Sequence, residues 1–213
     1  MQRIKRISVH PSGIFAWEKW GETKLFAGIN MSLHDEFIAI ALAVGAHKAQ
    51  VVAVGDIPFN PVFRKMCEMN SCGKYGKSWM CPPDVGEIDR LIAEAQSYTY
   101  ALVYQTIGLL EDSFDIEGML AAGERHNHMV ERIKEQIATF DLPRTLHLGA
   151  GGCGVCPRCA KMDNQPCMYP DRAMSSLEAY GVSVSDLAMI SGMKYINGTN
   201  TVTYFGALFF DPQ

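Results

Sequence analysis

The chain has 213 residues, 48% hydrophobic and 20% charged, a balance that suits a globular protein with one substantial core. A formal net charge of −4 gives no bulk attraction to nucleic acid or to an anionic membrane, so neither is expected as a partner. The longest purely apolar run, 37–46, is too short to span a bilayer, and the basic N-terminus lacks the apolar stretch of a secretory signal, so the expected location is the cytoplasm.

One domain over 1–213 is expected, opening with an irregular, glycine- and aromatic-rich segment at 1–30 that holds Trp17, Trp20 and Phe26. The pattern then predicts a helix over 32–44, with a capping-box-like start at Ser32 and Asp35 and a stop at Gly45. A strand follows at 50–54. Residues 67–83 read as a loop, punctuated by Gly73, Gly76, Pro82 and Pro83. Asp84 and Glu87 open a helix with Ile88, Leu91, Ile92 and Ala95 on one face. The β-branched and aromatic run 98–107 predicts a strand. A long helix is expected over 115–140, with Met119, Val130, Ile133 and Ile137 along one stripe, then a short strand at 145–148. Beyond a second glycine- and cysteine-rich loop come two short helices, 173–180 and 184–190, and a last strand, 201–210. Strands alternating with helices point to an α/β fold, a small mixed sheet flanked by helices, with two cysteine-rich metal-binding loops.

All seven cysteines fall in two short windows: Cys67, Cys72 and Cys81, then Cys153, Cys156, Cys159 and Cys167. Core cysteines scatter, because each fills its own apolar gap, whereas soft-metal ligands cluster, because several thiolates must converge on one centre. In a reducing compartment such clusters read as metal ligands or redox groups, and an odd count argues against a full disulfide framework.

The second window has the spacing C-x2-C-x2-C-x7-C. It shares the C-x2-C-x2-C core of bacterial ferredoxin motifs, although Pro170 stands three residues after Cys167. Small residues (Gly151, Gly152, Gly154, Ala160) leave room for backbone amides near the sulfurs. Zinc sites more often pair two separated C-x2-C knuckles, so a 4Fe–4S cluster is expected, with zinc as the alternative. Gly149, Gly151 and Gly154 also spell G-x-G-x-x-G, but the dinucleotide motif needs a helix to begin there, and the chain runs on into CPRC.

The first window, C-x4-C-x8-C, leaves a centre one ligand short. Either a His, Asp or Asn from elsewhere completes a structural or electron-transfer site, or a 4Fe–4S cluster keeps an open iron for a small molecule. The C-x3-C-x2-C spacing of radical-SAM enzymes is absent. Arg64, Lys65, Lys74 and Lys77 surround this window, either as cations stabilising an anionic centre or as a solvated basic loop. Tyr75 and Trp79 either shield the centre or pack in the core. His126 falls on the apolar stripe of the long helix and reads as a packed histidine; His128 points elsewhere. His147 is a candidate for the missing ligand.

YGKSWMCPP at 75–83, GGCGVCPRC at 151–159, CMYP at 167–170 and MSSLEAYGVSV at 174–184 resemble an uncharacterised family of predicted metal-binding proteins, common in anaerobic bacteria and archaea. The resemblance covers about residues 60–190, the expected metal-binding region. It implies that Cys67, Cys72, Cys81, Cys153, Cys156, Cys159 and Cys167 are metal-binding positions, and it names no reaction.

The sequence thus leads to an iron–sulfur protein with two 4Fe–4S clusters that transfers electrons to, or supports, an unidentified redox partner. The alternatives are an oxidoreductase binding a small molecule at the three-cysteine cluster and a zinc-stabilised interaction domain.

Overall fold

A computed structural model describes residues 31–213 together with two short strands, β1 (Glu18–Lys19) and β2 (Glu22–Thr23), which pair antiparallel. The expected irregular segment at 1–30, with Trp17, Trp20 and Phe26, otherwise lies outside the described residues. By contacts the chain divides after Ser32, and the unit Leu33–Gln213 is the one with the core described below.

That unit runs α1 (Leu33–Ala43), β3 (Lys48–Ala53), α2 (Phe63–Glu68), α3 (Ile88–Gln96), β4 (Tyr100–Leu109), α4 (Ile116–Ile137), β5 (Thr145–Gly149), β6 (Ser175–Ser176), α5 (Val184–Ile190) and β7 (Thr201–Phe210). Five strands form one mixed sheet in the order β3-β4-β7-β5-β6. The pairings are antiparallel except β5 with β6, which is parallel. The two ten-residue strands β4 and β7 pair along their whole length, Tyr100 opposite Phe210 and Leu109 opposite Thr201.

Both faces of the sheet are covered, which explains why β4 and β7 read as nearly continuous apolar runs. Side chains alternate between the faces. Ala101, Val103, Phe205, Ala207 and Phe209 join Leu91 and Ala95 of α3 and Leu187 of α5 on one side. Leu102, Tyr104, Leu208 and Phe210 join Phe37 of α1 and Met129, Val130 and Ile133 of α4 on the other. Gly206 is required where it stands, because the Tyr104 ring lies where a β-carbon would be.

The mixed α/β fold expected from the sequence is present. The predicted helix at 173–180 is corrected: the chain there forms the edge strand β6 and then a single 3-10 turn, Glu178–Tyr180. Ser175 pairs with Leu148 and gives its hydroxyl proton to the Met80 carbonyl, so sheet pairing and a loop contact override a helical pattern. The first cysteine window is also not wholly loop, since Cys67 lies on the short helix α2. The strand expected at 98–107 is displaced by two residues, to Tyr100–Leu109.

Candidate metal centre

The two cysteine windows, far apart in sequence, meet beyond the end of β5. The second window leaves β5 at Gly149 and returns to the sheet as β6, so its cysteines lie on an excursion anchored by neighbouring parallel strands. The first window runs from α2 through turns at Asn70, Gly73 and Gly76 to the segment 78–83 that leads into α3. A β-carbon built on Gly152 would lie 3.3 Å from Cys81 Sγ and 3.1 Å from Lys74 Cγ. Glycine lets the second window's backbone approach the first without displacing either side chain.

Cys153, Cys156, Cys159 and Cys167 line one small cavity, of about 20 Å³, bordered also by Ser78, Trp79, Val155 and Tyr169. Three segments therefore wall it: the second window itself, the 78–80 stretch of the first and the chain leading into β6. Trp79 is fixed by its indole N–H, which donates to the Gln165 carbonyl at 2.8 Å, and the Lys161 ammonium sits 4.4 Å from the ring centre. Lys161 in turn pairs with Asp84. The cysteines border a shared space: among the described residues, no three His, Cys, Asp or Glu side chains close directly on a single point as a ready-made chelate for one ion.

The thiols of this window differ in their surroundings. Burial alone would raise the Cys159 thiol, but the backbone N–H groups of Lys161 and Trp79, the Ser78 hydroxyl and the Lys74 ammonium together hold it below the ordinary thiol range. Cys156 is pushed up by desolvation, then by its neighbours Cys153, Cys159 and Cys167. Mutual repulsion of this kind is what a bound cation relieves.

Cys67, Cys72 and Cys81 also act electrostatically on one another. Burial raises the Cys67 thiol, and Arg64 pulls in the opposite direction. The Arg64 side chain is held by a 2.7 Å bond from Nη2 to the Gly86 carbonyl, while its buried Nε has no partner among the described residues. Burial raises Cys81 as well, and the Ser78 hydroxyl and the Cys153 N–H counter it. Cys72 is exposed and Cys81 buried, so this group reaches from the surface inward to the second window.

The structure sorts the basic residues of the first window. Arg64 acts on Cys67, whereas Lys74 acts on Cys159 of the other group; Lys65 and Lys77 are exposed. His126 is packed, with 1% of its surface exposed. His147 does not stand free as a ligand, because its Nε2 meets the Tyr104 hydroxyl at 2.5 Å on the α4 side of the sheet. No helix begins at Gly149, Gly151 and Gly154, as a dinucleotide site would need.

These contacts, two sulfur-rich groups sharing one wall, are the setting for comparison with known proteins. The chain belongs to the family described as predicted metal-binding protein (DUF2284). The family profile matches residues 50–210, which takes in all seven cysteines. It begins earlier than the 60–190 region legible in the motifs and ends later, so β3 and β7 are part of the family's common unit. No curated protein matches the chain, and no solved structure does. Metal binding is thus what the family's description predicts.

Two residues of this site escaped the sequence. Ser78 looked like one more loop serine, and its only signal is its position three residues before Cys81. Glu178 lies in a segment with no cysteine, and only the fold brings it to the first window.

Proposed function

We propose that the protein is a cytoplasmic iron–sulfur protein with two 4Fe–4S clusters, carrying electrons for a partner enzyme. One observation supports this best: four thiols surround one cavity, with a second thiol group against its wall. The donor set fits the group. The sites offer sulfur ligands with backbone N–H donors and small residues beside them, the surroundings that tune cluster potentials. Cys153, Cys156, Cys159 and Cys167 would hold one cluster and Cys67, Cys72 and Cys81 the other. When bound, such clusters supply one-electron chemistry. The chain's own part is to hold the sulfurs, to exclude water with Trp79 and Tyr169, and to set charge with Arg64 and Lys74.

The test is metal and sulfide analysis after strictly anaerobic, iron-replete expression. The intact protein is expected to hold iron and acid-labile sulfide for both centres, and Cys156→Ser to lose about one cluster's worth. Full iron content in the variant refutes the assignment. Stoichiometric zinc in both sites under these conditions favours the zinc-stabilised interaction domain instead.

A second reading has one observation in its favour. Cys72 is exposed and the buried Arg64 Nε beside this group lacks a partner among the described residues, so an anionic small molecule could be held at the three-thiol centre. The protein would then be an oxidoreductase. Ligand-dependent change in the spectrum of that centre alone would favour it.

A further inference from the structure

We infer that the Glu178 carboxylate completes the donor set of Cys67, Cys72 and Cys81, as a fourth, oxygen ligand to the metal bound there. This rests on the reading of those three thiols as ligands.

The argument begins with the backbone. The 3-10 turn Glu178–Tyr180 packs against α2, the helix that carries Cys67. The two are tied just upstream of α2. Asn60 N–H donates to the Gly181 carbonyl at 2.7 Å, and Phe59 forms an antiparallel bridge with Val182. The turn itself is fixed, with Leu177, Ala179 and Tyr180 buried and Gly181 left-handed at φ 74°. Glu178 is thereby held beside α2 and the Cys67 end of the first window. Its charge acts on the Cys67 thiol directly.

The second step is the state of the carboxylate. Half-buried carboxylates normally find a cation or N–H donors. Three other acids around the two windows do: Asp84 pairs with Lys161, Asp163 with Arg158 at 2.6 Å, and Glu131 with Arg172 at 3.2 Å. Glu68, next to Cys67, is exposed. Glu178 is half-buried, and among the described residues no hydrogen bond or ion pair engages its carboxylate. The carboxylate and the Cys67 thiolate repel each other, and a metal ion bound by both would reverse the sign of that interaction.

The third step is the count. Four thiols in one group and three in the other leave no cysteine to close the first centre. His147 is engaged by Tyr104. A carboxylate oxygen is a competent ligand for iron and for zinc, harder than thiolate and more readily displaced. The centre would be closed in the resting protein and able to open by loss of one oxygen ligand.

The experiment uses the full chain, loaded anaerobically, with cyanide as the probe ligand and electron paramagnetic resonance of the reduced protein as the readout. In the unmodified protein the first centre should show no response to cyanide. Glu178→Ala should bind cyanide at least tenfold more tightly, with altered g values at that centre only. Glu178→Cys should keep its full iron content with a spectrum shifted toward an all-thiolate centre, which separates ligation from a structural role. Should Glu178→Ala lose iron outright, the Glu178→Cys result decides. The inference is overturned if Glu178→Cys and Glu178→Ala give the unmodified spectrum and cyanide response. The thiol reading is judged separately: it fails if Cys72→Ser retains all of its iron, whatever Glu178 does.

Discussion

His126 shows how a single side chain can store pH dependence in the fold. Its ring is buried between the sheet and α4, with Nδ1 against the Thr106 hydroxyl at 2.9 Å and Nε2 buried without a partner among the described residues. The groups facing it are Thr106, Tyr104, Tyr204 and His147; none is an anion. Burial accordingly pulls its pKa from 6.5 down to about 4, and burial, aided by Lys134 and His126, pulls His147 down to about 3. Below pH 6.5 the unfolded chain takes up protons that the folded rings refuse. Stability is therefore full above 6.5 and falls as pH drops toward 4 and then 3, where the folded rings protonate. At about 1.4 kcal/mol per pH unit for a single ring, His126 alone accounts for roughly 2 kcal/mol between pH 6.5 and 5. Denaturant unfolding at a series of pH values checks this. His126→Gln should have a shallower loss than the unmodified protein over that range, and parallel curves would rule the mechanism out. The apolar stripe of the long helix was enough to read His126 as a packed residue. The Tyr104 bond of His147 was not legible, because it depends on the register between β5 and β7.

At the level of elements, periodicity succeeded where a segment makes its own case and failed where a neighbour decides. The 22-residue helix α4 carries a regular stripe and an Asp115 cap that accepts from the Gly118 N–H at 2.7 Å, so its start was legible. Residues 173–180 carry helix-like composition, yet β5 and the Met80 carbonyl claim Ser175 and Ser176 for the sheet. The following turn is tightly packed. A β-carbon on Gly181 would meet Ile92 Cδ1 at 2.8 Å and the Asn60 carbonyl at 3.3 Å, at a φ of 74° that side chains disfavour. Gly181→Ala should therefore cost about 2–4 kcal/mol, combining left-handed strain with overpacking. Urea denaturation should show a lower midpoint at an unchanged slope. A midpoint within error of the parent would mean that the turn yields easily, and would weaken the case that it holds Glu178 in place.

For the molecule as a whole, the two cysteine groups were legible in the sequence and their adjacency was not. Clustering of cysteines follows from the local geometry of thiolate ligation and leaves a mark in spacing. The windows meet at Gly152, and the Ser175–Met80 bond and the Lys161–Asp84 pair join the segments around them, contacts that no spacing encodes. Their consequence concerns electron flow. The Cys153 N–H and the Ser78 hydroxyl both act on Cys81, and that hydroxyl also lies near Cys159, with one proton to give to either sulfur. Ser78 is 2% exposed, so water does not substitute for it. If the two groups hold the two clusters proposed, centres whose sulfurs lie against one hydroxyl would interact magnetically when both are reduced. The fully reduced protein should show a split, fast-relaxing electron paramagnetic resonance signal that simplifies when Cys156→Ser removes one centre. Ser78→Ala should keep its iron and its splitting while lowering the potential of the centre whose sulfur takes the hydroxyl proton. Two independent, unsplit signals from a fully loaded and fully reduced sample would show that the centres are separate sites and not one conduit. A potential change confined to one centre in Ser78→Ala would assign the hydroxyl to that sulfur alone.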